Sequence, residues 1–76
     1  MLVYLESVDP RKNRFRFYVL HLSPNLFGGW SLERRWGRIG ARNPRRRIHL
    51  CESREEAKAL LARHLYNRPR RGYEVV

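Results

Sequence analysis

Cysteine, lysine and long apolar runs are what this sequence lacks. Cys51 is the single cysteine, so an internal disulfide is excluded and a reducing interior is indicated. The longest purely apolar run, Met1 to Leu5, is far too short to cross a membrane. Glu6 and Asp9 interrupt any apolar N-terminal leader, so a cytoplasmic protein is expected. Repeats, low-complexity tracts and linkers are missing too. Seventy-six residues make one small domain, 1–76, with no room for a second.

Sets of catalytic or metal-ligating residues are also missing. The histidines stand at 21, 49 and 64, and none has a second ligand at helical or zinc-site spacing. His64 falls on the apolar stripe of a helix and reads as a packed residue. His49, between basic neighbours, reads as part of a solvated strand face. A lone thiol offers no metal or redox chemistry. The neighbouring carboxylates Glu55 and Glu56 suit the positive end of a helix dipole. No glycine-rich cradle precedes a helix. Neither enzyme activity nor a cofactor or metal is expected.

What the chain has in excess is arginine. Seventeen Lys+Arg face seven Asp+Glu, a net charge of +10, and all but two of the cations are arginine. Such a surplus opposes the compact state by self-repulsion and calls for an anionic partner. Arginine over lysine favours bidentate contact with phosphate. The plainer reading is a solubility surface, or the arginine-rich usage of a GC-rich genome. A hydrophobic content of 42% supports one core and argues against a disordered tail.

Periodicity predicts four main strands and a helix. Leu2 to Val8 reads as a strand with Val3, Leu5 and Ser7 on one face, and Asp9-Pro10 turns the chain. Phe15 to Leu22 follows, with Phe15, Phe17, Val19 and His21 opposite Arg16, Tyr18, Leu20 and Leu22. Apolar residues on both its faces predict a central strand. Leu26 and Phe27, in the loop from Ser23 to Gly29, are expected to fold back onto the core. Trp30 to Ile39 forms a third strand, and Gly37 and Gly40 predict a bend at its end. Arg47 to Cys51 forms a fourth, with Ile48 and Leu50 expected inward and His49 and Cys51 outward. Ser53-Arg54-Glu55-Glu56 is a capping box. Ala57, Leu60, Leu61, His64 and Leu65 then make the core stripe of a helix over Arg54–Asn67, which Pro69 stops. A short last strand is expected over Tyr73–Val76. The fold class is α+β, a small antiparallel sheet of four to five strands with one helix packed on one face.

The densest chemistry lies at Glu33-Arg34-Arg35-Trp36-Gly37-Arg38-Ile39-Gly40 and the basic run behind it. Arginines 34, 35, 38, 42, 45, 46 and 47 occur there without an acid between them. Arg70 and Arg71 form a second cluster after the helix. Trp36 brings a broad flat face with one N–H, and Gly37 interrupts a strand where another chain can approach closely. A tryptophan on a strand is ordinarily a core residue. Here Trp30, on the same face, is expected to fill the core while Trp36 projects from the rim.

The segment WGRIG resembles the signature of the WGR domain, the DNA-contacting module beside the catalytic region of poly(ADP-ribose) polymerases, which also occurs in stand-alone bacterial proteins. RFRFYVLHL is similar to the family's long strand, GGWSLERRWGRIG to its motif strand, ESREEAKALLARHL to its helix and RRGY to its closing segment. The resemblance covers nearly the whole chain. It implies that Trp36 packs on the sugar of a nucleotide at a DNA end. It implies that Arg38 beside it meets phosphate or another domain, and that Tyr73 contacts a 5′ phosphate. The family also uses residues entering its long strand, where Asn13 and Arg14 both lie; the register between them is open. The chain departs from the family in having no catalytic region and in reading Ala41-Arg42-Asn43-Pro44 where a second glycine is usual.

The leading expectation is therefore a monomeric nucleic-acid-binding module, DNA favoured over RNA. Trp36, Gly37, Arg38, Tyr73 and arginines 34, 35, 42, 45, 46, 47, 70 and 71 are its candidate contacts. Without a helix-turn-helix, such binding is sequence-independent. The rival is a protein-interaction module whose basic face docks on an acidic partner, with Trp36 and its arginines as the anchors. A membrane-surface role is not expected, because the helix is not basic and amphipathic in the required way.

Overall fold

Five antiparallel strands and one helix make up the structure, a computed structural model that describes residues 1–76. The strands are β1 (Leu2–Asp9), β2 (Arg14–Pro24), β3 (Trp30–Arg38), β4 (Arg45–Cys51) and β5 (Glu74–Val75). They run in the order β4-β3-β2-β1-β5, which places β2 at the centre. The helix α1 spans Arg54–Asn67 and covers one face of the open sheet. Single 3-10 turns, Pro10–Lys12 and Pro69–Arg71, join β1 to β2 and lead from α1 towards β5.

Local chemistry accounts for the boundaries. Asp9 caps the first turn by accepting from the Arg11 N–H, and Asn13 closes it in the left-handed region at φ 50°, which asparagine tolerates. Ser53 Oγ accepts from Glu56 N–H while Glu56 accepts from Glu52 N–H, so both halves of a capping arrangement at the helix start are made.

The core lies between the sheet and α1. Directly paired residues share a face, so the registers Tyr18↔Trp36, Leu20↔Arg34 and Leu22↔Leu32 put these side chains on the helix side. Leu5, Tyr18, Leu20, Leu22 and Leu32 are buried there with Ala57 and Leu61 of the helix. The other face carries Tyr4, Phe17, Val19 and His21 with no helix over it.

Three expectations are corrected. On β4 the alternation is inverted: Cys51 is buried, His49 is half-buried, and Ile48 and Leu50 are exposed. The cause is register, since Trp30↔Cys51 and Leu32↔His49 pair residues on the helix side, whereas Ile48 and Leu50 oppose Glu33 and Ser31. Leu26 and Phe27 do not fold back but stand 98% and 93% exposed. Asn25 holds them out, because its Oδ1 accepts from both Phe27 N–H and Gly29 N–H and its own N–H bonds to Gly29 O. Tyr73 precedes the last strand and is buried against Tyr18.

Gly29 is required by close approach. A Cβ there would lie 2.5 Å from the carbonyl oxygen of Cys51. Gly29→Ala is expected to lower unfolding free energy by about 1–3 kcal/mol, the usual cost of overpacking. Urea unfolding with an unchanged m-value checks this.

His64, on the core side of α1, makes stability depend on pH. Burial above all, and then electrostatic repulsion from Arg34, Arg68, the His49 ring and Arg63, lower its pKa from 6.5 to about 4. Between those values the unfolded chain binds a proton that the folded chain refuses. Stability conferred by neutral His64 is thus complete above about pH 6.5 and lost as pH falls towards 4. Thermal melts from pH 7 to pH 4 should show a decline that is smaller in His64→Gln.

Candidate nucleic-acid interface

Five of the residues singled out by sequence, Trp36, Gly37, Arg38, Arg45 and Tyr73, come together at one end of the sheet, where the β1–β2 turn meets the β3–β4 loop. There a groove of about 770 Å³ opens. Its walls carry five cations, Lys12, Arg14, Arg16, Arg38 and Arg45, and three aromatics, Phe15, Trp36 and Tyr73, with no carboxylate among them. Gly37 lies in the groove wall, where a Cβ would touch Phe17 and Pro44 at ordinary contact distance.

Trp36 is more embedded than its place near the strand end suggests. It is half-buried, packs against the core and stacks on Tyr18 at a centroid distance of 5.8 Å. The guanidinium of Arg34 lies 5.2 Å from its ring centroid. Trp30 is likewise half-buried, with Arg54 over it, so neither tryptophan takes the core position or the free rim position expected of it. What sets Trp36 apart is that its indole forms part of the groove wall as well as of the core.

Arg38 is held in place rather than free. Its Nη1 donates to Asn13 O and its Nη2 to Asn13 Oδ1 at 3.4 and 3.3 Å, and its guanidinium lies over Phe15. These long bonds orient the fork on the rim while leaving it exposed. Arg34 is committed inward: Nε donates to His49 Nε2 at 2.9 Å and Nη1 to Tyr18 Oη at 2.8 Å. Burial, with Arg34 and Arg47 nearby, lowers the His49 pKa and favours the neutral ring that accepts this bond.

The remaining candidates scatter. Arg35 and Arg46 are paired on the uncovered face, and Arg46 forms an ion pair with Glu33 there. Arg47 and Arg42 are exposed beyond the groove walls. Arg70 turns back onto Tyr66, donating to its hydroxyl at 2.6 Å. Tyr73 is 7% exposed and sits edge-on to Tyr18, yet it lines the groove, and so does Arg45. Arg71 lines a smaller adjoining cavity.

Arg14, Arg16 and Arg68 complete the cationic surface and were not among the candidates. Arg16 carried a readable signal: it alternates in phase with Tyr18, Leu20 and Leu22, so an arginine occupies the core-facing side of the central strand. Arg68 had none, because only the packing of the helix end brings it over Tyr18, 4.2 Å from the ring centroid.

No group of histidine, cysteine and acidic residues is arranged to hold a metal ion, and no helix is long and apolar enough to cross a membrane. Residues 1–76 match the family model of the WGR domain. Over 71 residues the chain is 38% identical to the uncharacterized protein y4dW of Sinorhizobium fredii (strain NBRC 101917 / NGR234). That alignment takes in 93% of this chain and 34% of the relative, so the chain spans about a third of the length of the curated relative it matches. No solved structure matches it. WGR is a binding domain rather than a catalytic one, and it binds nucleic acid in proteins like the poly(ADP-ribose) polymerases. The motif strand, the capped helix and the closing Gly-Tyr stand in one fold in that order, and this chain belongs to the WGR domain family.

Proposed function

We propose that the chain binds duplex DNA ends or breaks, without sequence preference, through the groove at the end of its sheet. The observation that carries this reading is a wall of five cations and three aromatics without a single acid. Cations alone favour any polyanion and set a floor common to ends and interior. Trp36 adds a flat face, which meets a sugar or base only where stacking is already interrupted. Reaching such a face inside an intact duplex costs a few kcal/mol of unstacking, and a domain this small has little further surface to recover it. In this reading Arg38, which Asn13 orients, holds a phosphate beside that face. RNA ends would satisfy the same contacts, so the preference for DNA rests on the family.

The test is competition between a blunt duplex and the same sequence closed by hairpin loops at both ends. The blunt duplex should win, and Trp36→Ala should lose about 1–3 kcal/mol, the worth of one stacking platform. Because Trp36 also packs on Tyr18, Trp36→Leu provides a second measurement that keeps bulk and removes the flat face. Equal affinities, or a preference unchanged in both variants, would leave a generic polyanion binder.

Four arginines in the groove wall, Arg14, Arg16, Arg38 and Arg45, set the expected salt dependence. About four phosphate contacts give a slope of log K against log[salt] of roughly −3 to −4. A slope shallower than about −2 would place the binding face elsewhere.

A further inference from the structure

Beside the groove lies a second cavity of about 290 Å³, lined by Arg14, Arg16, Arg34, Arg68 and Arg71 around Tyr18. Five guanidinium groups meet there without a carboxylate, since the one ion pair in the molecule joins Arg46 to Glu33 on the other side of the sheet. Some donors are spent: Arg34 on His49 and Tyr18, and one Arg14 nitrogen on the carbonyl of Arg71. Others are not. Nε of Arg14 and Nε of Arg68 are buried without a hydrogen-bond partner, and no side-chain bond ties Arg16 or Arg71. Buried donors of this kind are ordinarily satisfied, and an unsatisfied one calls for a missing partner.

We propose that this second cavity binds a pyrophosphate group. Near neutral pH one tetrahedral phosphate carries about two negative charges, too few to balance the five guanidinium groups that approach from β2, β3 and the turn after α1. Two linked phosphates present more charge and more oxygens in one rigid unit. Arginine forks bind such oxygens bidentately. The same arginines bear on His64, whose pKa is lowered first by burial and then by Arg34 and Arg68. A pyrophosphate group has two sources, a free compound or the 5′-triphosphate end of a nucleic acid in the groove. The cavity shares Arg14, Arg16, Trp36 and Tyr73 with that groove, so either reaches it. The proposal does not require that the groove bind DNA.

Inorganic pyrophosphate, orthophosphate and sulfate are compared by calorimetry and thermal shift at equal ionic strength. Pyrophosphate should bind about tenfold tighter than either single anion, the worth of one further charge-assisted hydrogen bond, and should raise the melting temperature. The variants Arg16→Gln and Arg71→Gln, exposed and outside the core, should each remove most of that advantage. Arg54→Gln, which lowers net charge at Trp30, should retain it. Duplexes ending in 5′-hydroxyl, 5′-monophosphate and 5′-triphosphate then separate the sources. A gain specific to triphosphate assigns the ligand to a polymer end, and no gain assigns it to a free compound. Pyrophosphate binding without duplex binding would sink the groove's proposed function and keep this site. Pyrophosphate no tighter than sulfate, or equally weakened by Arg54→Gln, would overturn the site.

Discussion

Tyr18 is the side chain on which core and groove both depend. It is 2% exposed, on the central strand, and every face of it is engaged. Its hydroxyl accepts from Arg34, Trp36 stacks on its ring, Tyr73 meets it edge-on, and Arg68 lies over it. A buried phenol needs its hydrogen bond, and a partly exposed cation over an aromatic face adds about 0.5–1 kcal/mol. The same contacts fix the indole of Trp36, so the groove's flat face is positioned by the core. Flexible attachment would instead require ordering on binding, which costs affinity.

That arrangement follows from a one-sided sheet. A single helix covers one face, so alternate residues of each strand are divided between a core side and an open side. On β2 the core side reads Arg16, Tyr18, Leu20, Leu22, a gradient from charge to hydrocarbon along one strand. The helix covers the hydrocarbon end with Ala57 and Leu61. At the other end arginines take over from the core, and the groove opens there. Site and core are successive stretches of the same face.

Much of this was legible in the chain. The capping box and apolar stripe gave the helix over Arg54–Asn67, and apolar residues on both faces marked β2 as central. What alternation cannot say is which face receives the helix. On β4, where Ile48 and Leu50 alternate with His49 and Cys51, both phases carry plausible inward residues. The choice was made by pairing to Trp30 and Leu32, a non-local fact. Leu26 and Phe27 misled for a related reason, since hydrophobicity favours burial but a loop pinned by Asn25 offers no route to the core. The arginines around the motif were read as one basic face because they are close in sequence. Pleating sends Arg35 and Arg46 to the face opposite Arg34 and Arg38, while Arg14, Arg16 and Arg68 arrive from elsewhere.

Uncompensated charge is the remaining constraint, and it ties stability to ligand. A domain of this size has only a small margin of stability. Yet it gathers guanidinium groups around Tyr18, with two buried Nε–H donors unpaired and His64 driven towards neutrality. Local conflict of this kind, tolerated where the rest of the fold is consistent, marks places where a sequence serves something other than folding. An anion that enters this field relieves repulsion that the folded state bears and the expanded chain does not. Such a ligand binds the native state preferentially and stabilises it by mass action. On the proposed reading, the charge that weakens the free domain is the charge that holds its partner, and neither can be reduced without the other.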